Sequence, residues 1–114
     1  MLKTVDQQVD VLTWVDDITI KNLAHFRVAV AELLSSNYSK LLLNLQGVQY
    51  LNSGALGVIA DGVLTALRNK KELVIVTTEQ SVQEIFHIVK FGSIMKIFDS
   101  KEAGLQYYQC DVHV

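Results

Sequence analysis

Proline is missing from this sequence, and cysteine occurs once in its 114 residues. With no proline and only six glycines, the chain holds no linker, low-complexity tract or collagen-like repeat. A lone Cys110 makes no internal disulfide, which suits a reducing cytoplasm. Long apolar runs are missing too. Stretches such as Leu41-Leu42-Leu43 and Leu73-Val74-Ile75-Val76 fall far short of the ~20 residues of a membrane span, so no direct membrane insertion is expected. The opening Met1-Leu2-Lys3-Thr4-Val5-Asp6 turns polar at once, unlike a secretory leader. Nor does one charge sign dominate. Ten Lys and Arg oppose twelve Asp and Glu for a formal charge of −2. That lacks the basic surplus of a dedicated nucleic-acid binder, and no charged block forms a tail.

Half the residues are apolar and 19% are charged, the balance of a packed domain rather than a disordered chain. The reading is one domain over residues 1–114, large enough to bury roughly two-thirds of its unfolded surface. Two short strands flank the polar turn Asp6-Gln7-Gln8, the second over Val9 to Val15. From about Ile20 to Ser36 the period changes. Leu23, Phe26, Val30, Leu33 and Leu34 recur at helical spacing, with Thr19 or Asp17 placed to cap the start. Lys40 to Leu45 reads as a strand covered on both faces. A helix follows over Gly54 to Arg68, with Leu56, Ile59, Val63, Leu64 and Leu67 expected on the core side. Glu72 to Thr77 is the next strand. Ser81-Val82-Gln83-Glu84 is a capping box for a helix to about Lys90. Lys96 to Phe98 is a short strand, and Asp99, as cap, opens a last helix to about Gln109.

The order β-β-α-β-α-β-α-β-α predicts an α/β fold with four helices. Its sheet has about five strands, mainly parallel with an antiparallel edge. In such sheets functional groups gather where strands end and helices begin. Two loops fit, Trp14 to Thr19 and Val48 to Gly57. In the second, Ser53 stands at the expected N-cap of a helix. Its hydroxyl would face the exposed first turn, and a phosphate there would meet backbone N–H groups and the positive end of the dipole. Gly54, Ala55 and Gly57 are small enough to let a partner's backbone approach.

Catalytic signatures are missing. His25, His87 and His113 have neither metal-ligand spacing nor cysteine neighbours, and Cys110 lacks a nucleophile's setting. No phosphate-binding or dinucleotide-binding glycine loop and no His-Glu-x-x-His occurs. No metal, cofactor or enzymatic activity is expected.

The stretch Asn52-Ser53-Gly54-Ala55-Leu56-Gly57-Val58 resembles the STAS family of bacterial anti-sigma factor antagonists. That family reads Asp-Ser-Ser/Thr-Gly-Leu-Gly-Val at the start of a helix. The family's earlier Gly-x-x-Asp turn matches Thr13-Trp14-Val15-Asp16. Its closing pattern matches Phe91-Gly92, Ile97-Phe98-Asp99-Ser100 and Ala103-Gly104-Leu105, so the resemblance covers nearly the whole chain. It implies a STAS-like sheet and a protein-interaction module of the cytoplasm. Its partner would be an anti-sigma factor that is also a serine kinase, and Ser53 would be the residue phosphorylated to switch binding off. The contact surface it implies comprises Asp16, Asp17, Asn52, Gly54, Ala55 and Gly57. The chain departs from the pattern where Asn52 replaces an Asp, Gly54 replaces a Ser or Thr, and Asn44 replaces a further Asp.

Other readings of the same residues stand beside this one. As a plain N-cap, Ser53 would contribute about 1 kcal/mol. Asp16 and Asp17 would suit the positive end of the following helix, and Gly54 and Gly57 would suit tight helix packing. Phe91 reads as a core residue or as an exposed partner anchor. Asp16-Asp17 also suits a response-regulator receiver, but that chemistry needs a carboxylate on the next strand, where Asn44-Leu45-Gln46 offers none. Two further functions remain open. One is a constitutive adaptor or accessory subunit, for example of a membrane-transport complex, without phosphorylation. The other is a binder of small apolar ligands.

Overall fold

The computed structural model describes residues 2–88 and 95–110. Strands β1 (Leu2–Asp6) and β2 (Val9–Thr13) form an antiparallel hairpin. Its two-residue turn holds Gln7 at φ 54° and Gln8 at φ 66°, the mirror-image turn whose twist matches that of the strands. Then follow α1 (Leu23–Leu34), β3 (Lys40–Asn44), α2 (Ser53–Arg68), β4 (Glu72–Val76), α3 (Gln80–Ile88), β5 (Lys96–Phe98) and α4 (Lys101–Cys110). The sheet runs in the order β1-β2-β3-β4-β5, and every pairing after the hairpin is parallel. The expected order of elements and the antiparallel edge are both present.

Alternation along the inner strands fills two cores. Leu12, Leu41, Leu43, Leu73 and Ile75 face α1, α2 and α3, where Phe26, Ile59, Val63 and Phe86 are buried. Val9, Val11, Leu42, Val74 and Val76 face α4, with Leu105 and Tyr108. Leu41-Leu42-Leu43 is continuous because both faces of β3 are covered. Helix α4 lies close because residue 104 is glycine. A Cβ there would stand 2.8 Å from Leu42 Cδ1 and 3.3 Å from Val76 Cγ2.

Several local expectations are corrected. Helix α1 starts at Leu23, not Ile20, and neither Thr19 nor Asp17 caps it. The Asn22 side chain instead reaches back, accepting from the Thr19 N–H and donating to the Asp17 carbonyl, both at 2.8 Å. That turn holds residues 17–22 out of the helix. Helix α3 begins at Gln80, before Ser81 can cap. The Gln83 side chain anchors its first turn to the Thr77 carbonyl at 2.8 Å. In α4 the cap is Ser100, whose Oγ accepts from the Ala103 N–H at 3.0 Å, and not Asp99. Leu64 and Leu67 are 43% and 51% exposed, because α2 turns Ala55, Ile59, Gly62, Val63 and Ala66 inward instead. The expectations for Lys90, Phe91, Gly92, His113 and the Cys110 thiol lie outside the described residues.

Candidate functional site

Strands β2 and β3 lie side by side and parallel, so the loops that leave their carboxyl ends emerge together. Hydrogen bonds then stitch one loop to the other. Trp14 donates its backbone N–H to the Asn44 carbonyl at 3.0 Å, Ile18 to Tyr50 at 2.9 Å, and Asn52 to Ile18 at 3.0 Å. The last two make a short parallel bridge between Ile18 and Leu51. The carboxylate of Asp17 adds a clamp, accepting the N–H groups of Gln49 at 2.8 Å and Tyr50 at 3.1 Å. Gly47 lets the loops cross, since a Cβ there would sit 3.1 Å from that of Val15. Asn44 is buried and turns the chain by accepting the Gln46 N–H at 3.1 Å.

Ile18, Val48 and Leu51 are buried and plug this loop pair into the core. The outer side presents apolar surface. Ile20 is 86% exposed, Val15 55% and Tyr50 54%. The sequence places Val15 at the end of the second strand and Ile20 at the start of the first helix, whereas β2 ends at Thr13 and α1 begins at Leu23; Tyr50 belongs to no periodic run. The available signal was an apolar residue left unpaired inside each strand-to-helix loop. A solvated face of this kind, braced by backbone hydrogen bonds, suits contact with another protein.

The start of α2 corrects the expected cap. Asn52, extended at φ −82° and ψ 174°, is the N-cap, and its Oδ1 accepts from the Ala55 N–H at 2.8 Å. Ser53 is therefore the first helical residue. It is exposed, and its hydroxyl meets no partner among the described residues. The N–H groups of Ser53 and Gly54 likewise find no acceptor there, as the first turn of a helix leaves them.

The other predicted contact residues divide. Asp16 and Gly57 are exposed, and a Cβ on Gly57 would meet nothing within 4 Å. Asp17 is exposed with one carboxylate oxygen committed to the clamp. Gly54 is half-buried and lets α1 approach, since a Cβ there would lie 2.6 Å from Leu23 Cδ2. Ala55 is fully buried, so the expectation that it touches a partner is corrected. Small size at 55 serves packing.

His25 and His87 are exposed, one on α1 and one on α3. Among the described residues no group of three or more His, Cys, Asp or Glu is placed to hold a metal ion. No helix among them is long and apolar enough to cross a membrane.

Known proteins give the frame for this geometry. The chain is similar in fold to a Thermotoga maritima protein classed as an anti-sigma factor antagonist, with TM-score 0.85 and 22% identity over 95% of this chain and 93% of that one. An anti-sigma factor antagonist from Mycobacterium paratuberculosis gives TM-score 0.83 at 14% identity, covering 95% and 92%. Part of the murine Slc26a9 anion transporter gives TM-score 0.75 at 19% identity, covering 91% of this chain and 18% of the transporter. No curated protein gives a sequence match. Residues 2–104 match the STAS domain, and the chain belongs to that family.

Proposed function

We propose that this STAS domain acts as an anti-sigma factor antagonist. Its loop face around Ser53 binds an anti-sigma factor that is also a serine kinase, and phosphorylation of Ser53 ends the interaction. The observation that carries the reading is the free hydroxyl at the start of α2. Because Asn52 caps the helix, Ser53 Oγ has no structural duty. It stands in solvent beside loops that expose Val15, Ile20 and Tyr50.

The switch follows from charge. Transfer of the γ-phosphoryl group of the kinase's ATP to Ser53 Oγ adds about 1.5–2 negative charges at pH 7. In the free domain the new group is tolerated. It stays hydrated, and the unpaired N–H groups of Ser53 and Gly54 favour it. In a complex the same group would be pressed against the partner, stripped of water and unpaired. That costs several kcal/mol, enough to weaken binding by orders of magnitude.

Intact-mass measurement after incubation with the cognate kinase, ATP and magnesium tests this. One added phosphoryl group on the wild type, and none on Ser53→Ala, is the expected result. The second reading is a constitutive adaptor that works without phosphorylation. It is favoured by Asn52 and Gly54, which leave the serine without the flanking acid and second hydroxyl of the family pattern. An unchanged mass together with stable binding would select the adaptor and reject the switch.

A further inference from the structure

The opposite end of the sheet carries a charge pattern that the loop face does not use. Four of the ten Lys and Arg residues gather where α2 ends and β3 and β4 begin, namely Lys40, Arg68, Lys70 and Lys71. Two of them have local duties. Lys71 donates to the carbonyls of Leu34 and Ser36 and so closes the end of α1. Lys40 lies 5.9 Å from the Tyr108 ring centre and 3.4 Å from its carbonyl oxygen. Arg68 touches Thr65 at 3.2 Å and Asp61 at 4.0 Å, with most of its side chain in solvent. Lys70 is exposed and has no partner among the described residues. Of the acids beside the patch, Asp61 lies against Arg68 and Glu72 accepts from the Tyr107 hydroxyl at 2.6 Å.

The backbone at Lys70 gives a second observation. Lys71 donates its N–H to the Ala66 carbonyl at 2.8 Å, and Lys70 donates to Leu67 at 3.1 Å. These two bonds close α2 with a Schellman turn, whose left-handed position favours glycine. Here that position is Lys70 at φ 61°. A long cation occupies it against the backbone's preference. Beside it, Leu64 and Leu67 are 43% and 51% exposed, one turn apart on α2.

We propose that this basic patch, edged by Leu64 and Leu67, seats the domain on a membrane surface rich in anionic phospholipid. The side chains favour a diffuse negative surface over a peptide carboxylate. Fixed carboxylates are best gripped by the arginine fork, and the one arginine present already leans on Thr65 and Asp61. Lysines are point charges on flexible stems. Set beside exposed leucines, they match headgroups above and acyl boundary below. Between Lys40, Leu67, Lys70, Glu72 and Tyr108 lies an open groove of about 420 Å³. Helix α2 has 16 residues, which puts Ser53 about 22 Å from Arg68. The loop face would thus point away from the bilayer, and the inference rests on no part of the Ser53 reading.

Cosedimentation of the full chain with vesicles tests it, comparing equimolar phosphatidylglycerol and phosphatidylcholine with pure phosphatidylcholine. Binding to the anionic vesicles alone, reversed by 0.5 M salt (roughly a 4 Å Debye length), is expected. Lys70→Gly should raise the melting temperature yet lower the partition coefficient about five-fold, the worth of one cation at an anionic leaflet. Leu67→Ser should weaken it further. Equal binding to both vesicle types, or none at low salt, overturns the proposal. So does Lys70→Gly binding as well as the wild type, or tighter binding of a polyglutamate peptide than of the anionic vesicles.

Discussion

The carboxylate of Asp17 accepts the backbone N–H of Gln49 at 2.8 Å across 32 residues of sequence. The same oxygen takes the Tyr50 N–H, so one side chain sets the spacing between the two loops that carry the exposed apolar face. Removing it with Asp17→Ala leaves both donors to water. The site is solvent-exposed, so the stability loss should be modest, about 1 kcal/mol. The local effect should be larger. Amide exchange at Gln49 and Tyr50 should speed up markedly, and affinity for the proposed anti-sigma partner should fall. Asp17→Asn keeps an oxygen acceptor and should behave close to wild type. Unchanged exchange in the alanine variant would show that the loops are held by other means.

Asn52 and Ser53 should separate in their effects. Asn52→Ala removes the side chain that accepts from Ala55 and should lower stability by about 1 kcal/mol. Asn52→Asp keeps the acceptor and adds a charge at the positive end of α2, a gain of about 0.3–1 kcal/mol. Ser53→Ala should fall within about 0.5 kcal/mol of wild type, as surface changes away from structural duties do. Urea denaturation gives the ranking. A larger loss at Ser53 than at Asn52 would return the capping role to the serine and weaken its case as a switch.

How much of this was legible in the sequence varies from residue to residue. The β3 run announced a strand covered on both faces, and helical spacing announced α1 and α2, because burial leaves its mark on composition. Caps were harder to read, since Asn52-Ser53 and Asp99-Ser100 each set two competent capping residues side by side. At the first pair the choice is made by Asn52 donating its N–H to the Ile18 carbonyl, a bond 34 positions away that no local pattern encodes. The loop that holds Ser53 was legible from the strand-to-helix pattern and then from the family motif, yet the exposure of Ile20 and Tyr50 was not, since exposure of a lone apolar residue depends on which loop packs beside it. Ala55 failed in the opposite direction. Smallness was read as room for a partner, when the helix had turned that residue into the core.

Gly57 distinguishes a docking surface from a packing surface. It lies inside α2, where glycine is about 1 kcal/mol worse than alanine. A Cβ there meets nothing within 4 Å. Gly57→Ala should therefore raise the melting temperature by a few degrees. On the exposed side of the helix start the added methyl would obstruct a closely approaching partner. Higher stability with weaker binding, read by calorimetry on the proposed anti-sigma complex, is the expected pair of results. Higher stability with unchanged binding would take Gly57 out of the interface.

Tyr108 supplies a pH signature at the far end of the fold. Its hydroxyl is buried and donates to the carbonyls of Leu41 at 2.7 Å or Glu72 at 2.8 Å, while accepting from the Leu41 N–H at 3.3 Å. Burial pushes the phenol well above the usual tyrosine range, and the nearby Glu72 carboxylate pushes the same way. The unfolded chain would release this proton near the ordinary tyrosine value of about 10. The folded chain keeps it. The contribution of Tyr108 is thus complete below pH 10 and declines as pH rises beyond it, at up to about 1.4 kcal/mol per pH unit. Tyr108→Phe should cost about 1–2 kcal/mol at pH 7 through the lost hydrogen bonds. The variant should lose less with alkali, so that the two urea-derived stability curves converge above pH 10. Parallel curves from pH 7 to 11 would mean that the phenol titrates alike in both states, and the hydroxyl would then not be sealed between β3, β4 and α4.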